Sequence, residues 1–170
     1  MRPDAISTLR TLRDRRLRTA VVSDCTPELT AFWPELPIAG LLDARVLSIE
    51  ERRCKPHPAM YREAARRLGV APDECLYVGD GGSHELTGAL LVGMTPIRLI
   101  ADDAADHLVF RPDSWIGPAV SRLVEVLDLL PDRAAARLGV AECRLRWSGA
   151  RVRWTYQRGG KRGTVPAVRA

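Results

Sequence analysis

No apolar run in the sequence approaches the roughly 20 residues that a membrane-crossing helix needs. The opening stretch MRPDAISTLR has none of the apolar character of a secretory leader, so the cytoplasm is the expected compartment and no membrane partner is expected. Cysteine is sparse as well: Cys25, Cys54, Cys75 and Cys143 stand far apart with no Cys-x-x-Cys pair. That spacing argues against both a zinc site and a disulfide framework, leaving reduced, mostly structural thiols. Lysine is nearly missing, with two residues against twenty-four arginines, a bias that suits a GC-rich coding sequence better than selection for an anionic partner.

What is present describes a globular chain. Its 170 residues are enough for one good core, and 46% hydrophobic with 28% charged residues excludes a mostly disordered protein. The net charge of +5 is unevenly placed: residues 131–170 carry ten basic and two acidic residues, while residues 1–130 sum to −3. We therefore divide the chain into a core, 1–130, and a basic Arg- and Trp-rich tail, 131–170, which is expected to be a hairpin or disordered.

Periodicity organises the core. Residues 3–15 carry Ile6, Leu9 and Leu12 at helical spacing behind Pro3. The period then shortens: LRTAVVSDC (17–25) is a β-branched run ending in a polar turn, the pattern of a buried strand feeding a loop. Pro27, Pro34 and Pro37 break the next stretch, and ARVLSIE follows as a short strand. AMYREAARRLGV is a helix closed by Gly69, CLYVGD a strand, HELTGALLVGM a helix from near Ser83 to near Gly93, and TPIRLI a further strand. A last helix is expected from Pro118 to Leu130. Strands alternating with helices predict a largely parallel α/β sheet covered on both faces, with its ligand crevice beyond the carboxyl ends of the strands.

Polar residues gather where that crevice should lie. Ser23 and Asp24 follow one strand, Lys55 sits in a loop after another, and Asp80 follows a third, five residues before Glu85. A hydroxyl and turn amides can bind phosphate oxygens, and an ammonium can offset their charge. Asp80 and Glu85 are candidate ligands for Mg2+, an ion that takes oxygen donors, keeps waters and uses one or two carboxylates. Each residue alone has a plainer reading, as a turn hydroxyl, a solvated cation or a first-turn acid; their joint placement at successive strand ends favours a site.

These stretches carry a family resemblance. TAVVSDCTPE resembles the second motif of the haloacid dehalogenase (HAD) superfamily, and CKPHPAMYREAARRLGVAPDECLYVGDGGSHELTGALLVGM resembles its third and fourth, in the same order and spacing over roughly residues 2–100. The resemblance implies a Rossmann-like three-layer core and Mg2+-dependent hydrolysis of a small phosphate ester through an aspartyl-phosphate. By position it makes Ser23 the holder of the transferred phosphoryl group, with Asp24 beside it on the phosphate. Lys55 becomes the cation that offsets charge on nucleophile and phosphate, and Asp80 the magnesium anchor, with Glu85 where the family commonly has a second Asp.

The family's first motif, an apolar strand ending in Asp-x-Asp, has no counterpart, and neither Asp24 nor Asp102-Asp103 lies where its nucleophile belongs. Covalent phosphoryl transfer needs that positioned nucleophile. The expectation is an N-terminally shortened chain, without the nucleophile strand and the cap, whose own turnover is in question and whose sheet is incomplete. The strands flanking the gap then have open edges, which invites self-association. The alternative is an inactive module that binds Mg2+ and phosphate. Arg16 stands where relatives tend to have Gly, at the end of the first helix, a substitution that costs about 1 kcal/mol if the position is left-handed. In the tail, CRLRWSGARVRWTYQRGGKRG (143–163) alternates Arg with apolar residues around Ser148-Gly149, the pattern of a β-hairpin. Nucleic-acid binding through this tail is a further, less favoured alternative.

Overall fold

The computed structural model describes residues 1–100, 110–130, 142–148, 151–158 and 161–165. Helix α1 spans Ala5–Asp14 and ends in a left-handed turn at Arg16, where φ is 61° and Leu17 N–H reaches back to Leu12 O at 3.0 Å. This is a closing geometry in which glycine is strain-free and arginine is not. Strand β1 (Ala20–Ser23) leads to the short helix α2 (Pro27–Phe32), then to β2 (Ala44–Leu47), α3 (Ser48–Glu51) and α4 (Pro58–Leu68). Helix α4 starts cleanly because Pro58 occupies its first position and the His57 ring accepts the Ala59 N–H at 3.2 Å. It stops at Gly69, whose φ of 66° lets Val70 N–H return to Ala65 O at 3.1 Å.

Strand β3 (Leu76–Gly79), helix α5 (Glu85–Leu91), β4 (Thr95–Leu99) and β5 (Ala119–Val120) complete the α/β part. β1 pairs with β2, and β3 with β4 and β4 with β5, all parallel. These ladders form two separate sheets, so among the described residues β1 and β3 are each paired on one side only. Helix α4 bridges them. Its Met60, Tyr61, Ala64 and Ala65 form one core with Val46, Ala89 and Met94, against which Ala20 and Val22 of β1 and Tyr77 of β3 pack. Burying Met60 completely contributes about 2 kcal/mol to that core.

Alternation along β3 sends its other face to a second core. Leu76 and Val78 pack on Ile97, Leu99, Val120 and Val126, with Leu123 and Leu129 beside them. α1 lies near this layer, tied to it by Val124 N–H on Asp4 Oδ2 at 3.0 Å and by Arg15 Nη1 on Leu127 O at 2.8 Å. Helices thus cover both faces of mostly parallel strands, the three-layer Rossmann-like architecture.

One element differs from expectation. In place of a helix over Pro118–Leu130, Ala119 and Val120 add a strand, with Arg98 N–H on Pro118 O at 3.0 Å and Ile100 N–H on Val120 O at 2.8 Å, and only Leu123–Leu129 coils, as 3-10 turns. Pairing with β4 buries Val120 beside Ile97, which outweighs the local helical pattern.

In the tail, β6 (Glu142–Ser148) and β7 (Arg151–Arg158) run antiparallel with Ser148 opposite Arg151, and β8 (Lys161–Val165) adds a third strand that the hairpin pattern did not announce. The turn at Gly149 and the remainder of 131–170 lie outside the described residues, as do Asp102 and Asp103.

Candidate functional site

The carboxyl ends of β1 and β3 carry Ser23-Asp24 and Gly79-Asp80, and the loop before α4 supplies Lys55. Three of the residues singled out from the sequence are joined directly. Asp24 Oδ1 accepts the Lys55 backbone N–H at 2.9 Å, and Lys55 Nζ donates to Glu85 Oε2 at 2.6 Å. Lys55 therefore ties the β1 turn to the start of α5, across strands β1 and β3, which no ladder connects among the described residues. Its side chain is 14% exposed and that of Glu85 5%, so solvent screens this pair far less than a surface bridge.

Glu85 is enclosed by donors. Beyond Lys55, the Tyr77 hydroxyl donates to Oε2 at 2.8 Å and the Gly81 N–H to Oε1 at 3.1 Å, while the Tyr61 hydroxyl donates to the Glu85 carbonyl at 3.1 Å. Burial first, then the Glu85 charge, holds the Tyr77 and Tyr61 phenols above their ordinary range, so both remain O–H donors at neutral pH. Gly79 makes the seat: a Cβ there would fall 2.0 Å from Glu85 Oε1. Gly81 has φ of 91°, a conformation that turns the chain back over the carboxylate.

Asp80 behaves differently. It is exposed, and its Oδ1 accepts the Gly82 N–H at 2.7 Å in an Asx-type turn. Ser23 is half-buried, its hydroxyl on the Asp24 carbonyl at 3.3 Å. Among the described residues no group of three or more His, Cys, Asp or Glu is placed to hold a metal ion. Both Glu85 oxygens already accept hydrogen bonds, one from an ammonium, so of the two carboxylates Asp80 is the one that could take a magnesium ion without breaking them.

Two contributors had little sequence signal. Tyr77 reads as one more apolar residue of its strand, although a hydroxyl two positions before a Gly-Asp turn is a hint. Asp113, 26 residues beyond Thr87, is buried and accepts from Thr87 N–H at 2.7 Å and Thr87 Oγ1 at 2.6 Å, and nothing local in RPDSW announces that partner.

A serine turn, an enclosed lysine and an aspartate-bearing glycine turn thus stand together at the carboxyl ends of the parallel strands of an α/β fold. Residues 1–93 match the haloacid dehalogenase-like hydrolases, and the chain belongs to that family. It is 33% identical over 133 residues to the glyceraldehyde 3-phosphate phosphatase of Methanopyrus kandleri, covering 78% of this chain and 57% of that protein. It is 34% identical over 126 residues to the mouse haloacid dehalogenase-like hydrolase domain-containing protein 3, covering 72% and 50%. The chain thus spans about half the length of these relatives. In fold it is similar to a HAD phosphatase from Thermococcus onnurineus, with a TM-score of 0.63 at 24% identity over 76% of this chain and 57% of that one.

Proposed function

We propose that the chain provides the phosphate- and magnesium-binding part of a phosphatase acting on small phosphate esters. The observation that carries this reading is the partly buried Lys55, tied through its amide to Asp24 and through its ammonium to Glu85 at the ends of two separate sheets. A phosphate at these strand ends takes hydrogen bonds from Ser23 and the turn amides and charge from Lys55, with Asp24 holding the Lys55 loop in place. Asp80 would hold Mg2+, which when bound would offset charge on the phosphoryl oxygens. Glu85 serves as the counter-ion that fixes Lys55. The phosphatase relatives act on glyceraldehyde 3-phosphate in one case and phosphoglycolate in another, which makes three- and two-carbon phosphates the first substrates to try.

In a second reading the chain binds Mg2+ and phosphate without turnover of its own. One experiment separates the two. Release of inorganic phosphate from glyceraldehyde 3-phosphate, phosphoglycolate and an aryl phosphate is followed with and without Mg2+, using Asp80→Asn and Lys55→Ala as controls. Magnesium-dependent release that both substitutions abolish supports the hydrolase. Saturable binding without release supports the binding module, and neither in a folded preparation refutes both.

A further inference from the structure

The turn that carries Asp80 and Glu85 is bracketed by a second segment, residues 110–113. Asp113 N–H donates to Gly81 O at 2.7 Å, on the near side of the turn, while the Asp113 carboxylate accepts both Thr87 N–H and Thr87 Oγ1, on the far side. Between these anchors Ser83 N–H donates to Phe110 O at 2.7 Å and His84 N–H to Arg111 O at 3.4 Å. One residue therefore grips both ends of the stretch that contains Glu85.

That stretch has reason to be gripped. Ser83 and His84 are left-handed at φ of 55° and 53°, and Arg111 on the opposing segment at 49°. Left-handed conformations are unfavourable for residues with a Cβ and persist where the surroundings over-determine them. The hydrogen bonds to residues 110–113 are those surroundings, and Asp113, 5% exposed, contributes the ones to a carboxylate, the strongest class.

We infer that Asp113 is a positioning residue that sets where Asp80 and Glu85 stand. It acts through the backbone of 81–87 and touches neither phosphate nor metal, and its effect on binding rests on the function proposed above. Releasing its hold lets Ser83 and His84 relax to right-handed geometry, which turns the Glu85 carboxylate away from Lys55 and shifts the turn that carries Asp80.

The test uses the full chain with Asp113→Ala, and with Asp113→Asn and Thr87→Val as milder variants should the alanine not fold. Amide hydrogen exchange of residues 81–87 is compared with that of α4, and the affinity for inorganic phosphate with Mg2+ is titrated per folded molecule. The expected result is exchange about 100-fold faster in 81–87 with α4 unchanged, and phosphate binding about 10-fold weaker, both partly restored in Asp113→Asn, whose amide oxygen still accepts the Thr87 N–H. Exchange rising equally in α4 and in 81–87, or unchanged in both, overturns the inference, as does unaltered phosphate affinity. Should the unsubstituted chain bind no phosphate, the proposed function fails, and the exchange comparison alone decides whether Asp113 holds the turn.

Discussion

Lys55 Nζ lies 2.6 Å from Glu85 Oε2, with both side chains largely withdrawn from solvent. Removing one member of a buried pair strands the other charge, which costs more than the pair itself is worth. Glu85→Gln should lower stability by about 3 kcal/mol, and Lys55→Met by a similar amount. In the double variant no charge is stranded, so the loss should be well below the sum of the single losses. Urea denaturation of the four proteins measures this cycle, and strictly additive losses would show that the pair is not coupled.

Gly79→Ala places a methyl where the Glu85 carboxylate now sits. The carboxylate must then leave its seat, losing the Gly81 N–H and Tyr77 hydroxyl bonds along with the ammonium. Tyr77→Phe, which deletes only one of these donors, should cost about 2 kcal/mol, and Gly79→Ala distinctly more. Chemical denaturation ranks the two; a Gly79→Ala protein as stable as the parent would refute the seat.

On the exposed side of α4, Glu63 accepts from Arg66 and Arg67 at 2.6–2.7 Å, and these hydrogen bonds bring its carboxyl down from 4.5 to about 2. Since the folded value is the lower one, the stability this gives is fully present above about 4.5 and is lost as pH falls from there to about 2, while the unfolded chain takes up a proton first. Solvent screening keeps the effect modest. Stability measured against pH should fall less steeply in that window for Glu63→Gln than for the parent chain, and parallel curves would contradict the assignment.

The cysteines separate by environment. Cys75 is half-buried and burial pushes its thiol up to about 11, whereas Cys54 is exposed. With a maleimide at pH 7.5, peptide mapping should find Cys54 modified well before Cys75; equal rates would show that the segment entering β3 opens readily.

Much of this arrangement is legible in the chain because local patterns and tertiary structure agree. The β-branched run before Ser23, the apolar run before Asp80 and the Gly69 stop each specify one element, and parallel strands then bring their carboxyl ends to one side. That logic places Ser23, Asp24, Lys55 and Asp80 at strand ends or in the adjoining loops, but not the bonds that join Asp24, Lys55 and Glu85. The spacing of Asp80 and Glu85 suggests two equivalent metal ligands, and only the approach of the Lys55 loop and the Tyr77 hydroxyl shows Glu85 enclosed and Asp80 open. Asp113 was illegible for a related reason, since its partner is distant in sequence and a Pro-Asp pair reads as an ordinary turn. Val120 illustrates the opposite failure, a residue of helical pattern claimed by the open edge of β4.

The most direct test is calorimetric titration of the folded full chain with inorganic phosphate, in the presence and absence of Mg2+, alongside Lys55→Ala and Asp80→Asn. Our account predicts one saturable site in the parent protein that strengthens with Mg2+. Lys55→Ala should weaken it with or without the metal, and Asp80→Asn should remove the magnesium effect alone. Failure of the folded parent to bind phosphate, or equal binding by all three proteins, would contradict the assignment of these strand ends as a phosphate and magnesium site.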